Sequence, residues 1–247
     1  MFSEEFRQAI SSANSVMILT GAGVSKESGL DTFRDAGGHW SRYNPIELAS
    51  PQGFAADPKL VWEWYSARKE KALAAEPNPG HFAITEMEQI FPNFSLFTQN
   101  VDRLHQKAGS KKVHELHGNI MSAHCNNCGL VYMNEIDITQ GLPHCAVCGG
   151  YARPSVVWFG EQLPEEILEK AINFTKSVDI FFTIGTSAEV YPAAHLPHLA
   201  KESGAFVVEV NPNETSFTRF ADISFRNPSG EILPKILNLI KEVKSYG

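Results

Sequence analysis

Gly21-Ala22-Gly23-Val24-Ser25-Lys26-Glu27-Ser28-Gly29 is the stretch from which the rest of the chain is read. It follows Val16-Met17-Ile18-Leu19, an apolar run of the kind expected for a parallel strand buried on both faces. It precedes Leu30-Asp31-Thr32-Phe33-Arg34, which brings an aromatic ring and a guanidinium to the same end of the strand. Strand, glycine turn and helix start together predict a phosphate cradle. Small residues let the backbone approach an anion, and free N–H groups at a helix start meet it with a positive dipole end. The usual dinucleotide fingerprint has a third glycine where this chain has Lys26, so a cofactor cradle and a plain tight turn both remain open on this stretch alone.

The 247 residues have room for one large domain or a large and a small one, and 43% hydrophobic content is ample for a packed core. A formal net charge of -7 argues against a broad nucleic-acid footprint. The opening Met1-Phe2-Ser3-Glu4-Glu5 is acidic and leads into an amphipathic helix rather than a signal peptide. No apolar run reaches the roughly 20 residues of a membrane span. A soluble, cytoplasmic protein is expected, with no membrane and no direct nucleic-acid partner.

Outward from the glycine stretch, strand and helix patterns alternate. Helices are expected over Phe6–Ala13, Pro58–Ala75, His81–Ile90, Arg103–Ala108, Glu165–Ser177, His195–Ser203 and Glu231–Lys244. Strands are expected over Phe94–Thr98, Val113–Asn119, Ile180–Ile184, Phe206–Val210 and Ile223–Phe225, with Arg153–Glu161 extended. Asp35–Trp40 reads as a loop that paired glycines let rearrange, either a cofactor lid or a connector. The alternation predicts an α/β fold, a Rossmann-like doubly wound parallel sheet. Polar Gln99-Asn100-Val101-Asp102 and Gly185-Thr186-Ser187 follow two of its strands, where such sheets place ligand contacts.

Between Cys125 and Cys148 the pattern changes. Cys125-Asn126-Asn127-Cys128 and Cys145-Ala146-Val147-Cys148, separated by 16 residues, match the spacing of a four-thiolate zinc site. Four thiolates leave no open position on the metal, so one structural Zn2+ is expected to hold a small inserted module. His124 and His144 adjoin the cysteines and are not expected to replace a thiolate.

In this order, Gly21-Ala22-Gly23-Val24-Ser25 with Ser28-Gly29 and Phe33-Arg34, then Thr98 to Asp102, His117-Gly118-Asn119, the four cysteines, Val156 to Glu161, Gly185-Thr186-Ser187 and Val210-Asn211 resemble the sirtuin family of NAD-dependent protein-lysine deacylases. The resemblance implies one catalytic domain over residues 1–247. Its Rossmann-like NAD part would take about 1–34, 80–118 and 154–247, its helical insert about 35–79 and its zinc module about 119–153. It implies a reaction in which an acyl-lysine carbonyl attacks the nicotinamide ribose of NAD. Nicotinamide leaves, a base deprotonates a ribose hydroxyl, and the products are free lysine and O-acyl-ADP-ribose.

By the same resemblance His117 is the base, with Asn100 and Asp102 ordering ribose and nicotinamide. NAD contacts are implied for Gly21, Ala22, Gly23, Ser25, Glu27, Thr32, Phe33, Arg34, Trp40, Gln99, Val101, Gly185, Thr186, Ser187, Asn211, Pro212, Asn213 and Ser229. An acyl-lysine peptide would lie along Val157, Phe159, Gly160 and Glu161, with Val190 and Tyr191 opposite, as an added strand. Thr32 stands where many deacetylases of the family have aspartate, and Tyr65-Ser66-Ala67-Arg68 resembles the subclass that removes succinyl and malonyl groups. Arg offers bidentate donors to a terminal carboxylate, so desuccinylation and demalonylation are expected above deacetylation. Mono-ADP-ribosyl transfer and predominant deacetylation are the alternatives, and a monomer is expected.

Overall fold

Six parallel strands form the sheet on which the rest of the molecule is hung. The computed structural model describes residues 2–31, 44–132 and 141–245. Its first half runs α1 (Glu4–Ser12), β1 (Ser15–Thr20), α2 (Pro45–Leu48), α3 (Pro51–Ala56), α4 (Pro58–Ala74), α5 (Pro79–Ile90), β2 (Asn93–Thr98), α6 (Leu104–Lys107), β3 (Val113–Glu115) and β4 (Gly118–Cys125). The second half runs β5 (Val131–Tyr132), β6 (Ala152–Val156), α7 (Glu165–Thr175), β7 (Ile180–Ile184), α8 (Leu196–Glu202), β8 (Phe206–Val210), β9 (Ile223–Phe225) and α9 (Ser229–Ser245).

The large sheet has the order β3-β2-β1-β7-β8-β9, with every neighbouring pair parallel. Numbered within the sheet this is the 3-2-1-4-5-6 order of a doubly wound dinucleotide-binding fold, whose crevice opens beyond the carboxyl ends of the two central strands. Those strands are β1 and β7. Alternate residues of β1 show why both faces are covered: Val16 and Ile18 pack with buried residues of α1, α5 and α9, while Met17 and Leu19 pack with those of α7 and α8.

A second, antiparallel sheet, β5-β4-β6, carries the cysteine pairs at its end. It shares an apolar core with the helical segment: Leu48, Phe54, Val61, Trp62, Trp64 and Tyr65 pack with Ile120, Ala123, Val156 and Trp158. Among the described residues no helix is long and apolar enough to cross a membrane.

Several expected boundaries shift, each for a local reason. Helix α1 starts at Glu4 because the Ser3 hydroxyl caps the Phe6 N–H. Pro77 to Gly80 is not wholly a breaker. Asn78 caps α5 and donates its own N–H back to the His81 ring, and Pro79 sits in the first turn, where its missing N–H costs nothing. Helices α2 and α3 were not expected. The segment after the glycines is a 3-10 turn over Ala22–Ser28 rather than an α-helix. Asn78 Nδ2 takes the Val24 carbonyl at 2.8 Å, the oxygen an α-helix would give to Ser28, and Gly29 ends the turn at φ 83. Val113–Asn119 is not one strand: β3 stops at Glu115, and Gly118 opens β4 in the other sheet, leaving His117 in the junction. Gly118 sits at φ 69, and a Cβ there would lie 2.1 Å from the Ser155 carbonyl oxygen, so only glycine makes this corner.

Candidate active site

The carboxyl ends of the sheet strands bring together four turns from distant parts of the sequence. Gly21 N–H donates to the Ile184 carbonyl at 3.0 Å, Gly23 N–H to the Gly185 carbonyl at 2.8 Å, and Gly185 N–H to the Val210 carbonyl at 2.9 Å. Gly185 lies at φ 61, and a Cβ there would come 2.4 Å from the Val24 nitrogen. Small residues are therefore needed for two turns to touch backbone to backbone, which fastens the glycine stretch to β7 at the crevice.

Ser25 is the hub of the polar floor. Asn100 donates its side-chain N–H to Ser25 Oγ at 3.1 Å, and Ser25 spends its single proton on Asp102 Oδ2 at 2.8 Å. Burial pushes the Asp102 carboxyl up, while bonds from the Leu104 N–H and Ser25 and the charge of Arg68 pull it down. Arg103 turns the chain after Asp102 in the left-handed region, at φ 63, so that the Leu104 N–H meets Asp102 Oδ1 at 2.9 Å. A non-glycine residue held there costs on the order of 1 kcal/mol.

Behind this floor lie two buried histidines that the sequence did not single out. His81 Nδ1 accepts the Asn78 N–H, so Nε2 carries the proton and faces Ser25 Oγ at 3.5 Å. Thr20 donates to Thr98 Oγ1 at 2.8 Å and so must accept from His105 Nε2 at 2.9 Å. Thr98 Oγ1 also receives the Asn100 backbone N–H at 3.0 Å. Burial pushes His81 down to about 4 and His105 well below its ordinary value, so both are neutral.

His117, in the junction between β3 and β4, has its Nδ1 3.0 Å from the Gln99 carbonyl oxygen. Gln99 in turn donates its side-chain N–H to Thr186 Oγ1 at 3.1 Å, and Asn211 donates to the Thr186 carbonyl at 2.9 Å. Residues from four strand ends thus form one connected set. Ser229 Oγ and the Gly230 N–H both donate to the Glu27 carboxylate, at 3.3 and 2.7 Å, closing the glycine turn onto the start of α9. Asn213 N–H donates to Asn211 Oδ1 at 3.2 Å, and the Val101 carbonyl accepts from the Ile120 N–H at 3.0 Å. Thr32, Phe33, Arg34 and Trp40, with the whole Asp35–Trp40 loop, lie outside the described residues.

The segment expected to meet a peptide has most of its own N–H groups already engaged. Val157 donates to the His117 carbonyl, Phe159 to the Ala49 carbonyl, Trp158 to Glu161 Oε2 and Glu161 to the Trp158 carbonyl. The Glu161 carboxylate is held by Arg153, at 2.5 and 2.9 Å. Phe159, Val190 and Tyr191 are exposed, Tyr191 most of all.

Tyr65 and Arg68 project from one face of α4, one turn apart. Tyr65 is 3% exposed and accepts the Trp158 indole N–H at 2.9 Å. Burial pushes its hydroxyl up to about 12, with the Arg68 charge opposing. Burial pulls Arg68 down, opposed by the charges of Tyr65, Asp102 and Asp31, and its guanidinium lies 5.0 Å from the Trp64 ring centre. Nothing in the local sequence around Trp158 points to Tyr65, 93 residues away.

The four cysteine sulfurs lie within 4.8 Å of one another, as a tetrahedral site requires. Both pairs form the same tight knuckle: Gly129 N–H returns to the Cys125 carbonyl and Gly149 N–H to the Cys145 carbonyl. Backbone N–H groups of Asn127 and Cys128 face Cys125 Sγ at 3.4 and 3.5 Å, favouring a thiolate. The neighbouring imidazoles are engaged elsewhere, His124 with Ser155 and His144 with the Gly149 carbonyl. The donor set fits Zn2+ without them.

A family model described as the Sir2 family matches residues 21–192. An NAD-dependent protein deacylase of Aquifex aeolicus is 49% identical over 233 residues, covering 94% of this chain and 97% of its own length. One of the same name from Pyrococcus furiosus is 45% identical over 245 residues, covering 97% and 98%. Among solved structures, a Sir2 homologue–NAD complex superposes with a TM-score of 0.93 at 42% identity, covering 99% of this chain and 96% of that one. A Sir2–p53 peptide–NAD+ complex superposes with a TM-score of 0.86 at 32% identity, covering 96% and 98%.

Proposed function

Because the chain belongs to the Sir2 (sirtuin) family, we propose that it removes acyl groups from protein lysines with NAD as co-substrate, and that succinyl and malonyl groups are preferred to acetyl. NAD supplies a ribose carbon bearing a positively charged leaving group. The chain supplies position, a base and a dry pocket. Gly21 to Ser25, Gln99, Thr186 and Asn211 would hold the cofactor at the crevice, and Asn100 and Asp102 would order its nicotinamide end.

His117 is the proposed base. A carbonyl oxygen can only accept, so the bond to Gln99 puts the proton on Nδ1 and leaves the Nε2 lone pair free. Burial holds the imidazole below its ordinary value, against the pull of that bond, and so keeps it neutral. Ser25, fixed between Asn100 and Asp102, holds the polar floor opposite.

The preference for acidic acyl groups is carried by one observation, the buried Tyr65 hydroxyl beside Arg68 on α4. A terminal carboxylate would satisfy both donors, whereas an acetyl methyl would leave them without that partner. The cysteine set would hold a closed, structural Zn2+ that keeps β4 and β6 in register with α4. A monomeric, cytoplasmic protein acting on extended acyl-lysine segments completes the proposal.

Mass spectrometry of a reaction with NAD and a succinyl-lysine peptide tests it. Nicotinamide, free lysine and O-succinyl-ADP-ribose are expected; an ADP-ribosylated peptide retaining its succinyl group would overturn it.

A further inference from the structure

The brace around Trp158 reaches into the acyl pocket. The indole is 2% exposed or less by its packing between two groups: the Arg153 guanidinium lies 3.2 Å from its ring centre, and the Phe54 ring lies 5.2 Å away. Arg153 is itself fixed by both oxygens of Glu161 and by the Val156 carbonyl at 2.7 Å. Glu161 closes the loop by accepting the Trp158 backbone N–H at 2.8 Å. The ring plane is therefore set, and with it the direction of the indole N–H, which ends on the Tyr65 hydroxyl oxygen at 2.9 Å.

An indole N–H can only donate, so the direction of this bond is unambiguous. The Tyr65 oxygen accepts on one side, and the phenolic proton, coplanar with its ring, takes the other. Among the described residues that proton has no acceptor, and the hydroxyl is too buried for bulk water to serve. Arg68 lies within electrostatic reach of it, one turn further along α4. A buried donor with an unspent proton beside a cation is suited to an anionic acceptor from outside the chain.

Taking Tyr65 and Arg68 as the carboxylate pair of the proposed function, we propose that Trp158 is a specificity-determining positioning residue: its indole N–H turns the Tyr65 proton into the acyl pocket, to be donated with Arg68 to the terminal carboxylate of a succinyl or malonyl chain. Trp158 itself touches neither the acyl group nor NAD in this role. It acts through Tyr65.

The test compares succinyl- and acetyl-lysine versions of one peptide, each with saturating NAD, as the ratio of their kcat/KM values. Trp158→Phe keeps an aromatic ring at this position and removes the N–H together with the five-membered ring; β-3-benzothienylalanine at position 158 removes the N–H alone and keeps the bicyclic shape, should the phenylalanine variant not fold. Either change is expected to lower the succinyl-to-acetyl ratio roughly five- to tenfold, the scale of one net hydrogen bond. Tyr65→Phe should lower it to a similar extent, and adding Trp158→Phe to Tyr65→Phe should produce no further fall. An unchanged ratio, or a double variant whose fall multiplies those of the single ones, would overturn the role of Trp158. Arg68→Met separates the two levels: a ratio that falls with Arg68→Met but not with Trp158→Phe removes the positioning role alone, whereas a ratio unmoved by Arg68→Met removes the carboxylate pocket itself.

Discussion

The Nδ1 atom of His117 sits 3.0 Å from the carbonyl oxygen of Gln99, and this contact decides which ring nitrogen can act as a base. The proton is held at Nδ1, so the lone pair is on Nε2. Burial lowers the imidazole below its ordinary 6.5, so the base form persists on the acid side of neutrality. The acid limb of the kcat/KM profile should therefore fall only below pH 6.5, where His117 gains its proton. A limb centred above that value would contradict the assignment. His117→Ala should lower turnover by roughly 10²- to 10⁴-fold while NAD still binds, as calorimetry would show.

Arg68→Met removes the cation proposed to meet the acyl carboxylate while keeping much of its apolar stem. The succinyl-to-acetyl ratio of kcat/KM should fall by about 100-fold or more, the scale at which a charged hydrogen-bonding pair discriminates. Equal losses on both peptides would assign Arg68 to the fold of α4 and not to the acyl group.

Cys125→Ser takes one thiolate from the four-sulfur cluster and should release the metal. Elemental analysis should then find no stoichiometric zinc, and stability should fall by at least ~3 kcal/mol, seen as several degrees in Tm. The loss should spread to the core shared by β4, β6 and α4. Unchanged zinc content and Tm would exclude a structural metal.

His81 and His105 make the fold sensitive to acid. Both are held neutral by burial, with their folded-state values below the ordinary 6.5 of the unfolded chain, His81 at about 4. Below pH 6.5 the unfolded chain takes up protons that the folded one refuses, so stability is full above that pH and is lost as pH falls toward 4. Chemical denaturation between pH 7 and 4 should show this loss, on the order of a few kcal/mol, and His81→Asn should make it shallower.

The parallel sheet was legible because its strands are short apolar runs bounded by turn residues, and Ile180–Ile184, Phe206–Val210 and Ile223–Phe225 begin and end as expected. The cysteine knuckles were legible because the metal imposes a local spacing. Local pattern failed where partners are remote. Asn78 diverts the turn after Gly23 from 54 residues away, and Gly118 owes its conformation to Ser155. The bonds from Ser229 and Gly230 to Glu27 likewise join residues far apart in the chain. His81, His105 and Trp158 carried no signal of their own, since a buried imidazole or indole looks the same in sequence whether it packs or positions a neighbour.

Competition between acyl groups probes both the NAD-dependent deacylation and the preference proposed to be set by a terminal carboxylate. Equimolar succinyl-, malonyl- and acetyl-lysine forms of one peptide are incubated together with NAD and the protein, and each deacylated product and nicotinamide are quantified over time. Succinyl and malonyl peptides should be consumed first, with nicotinamide released one for one. Acetyl peptide consumed first, or any deacylation without NAD, would contradict this function.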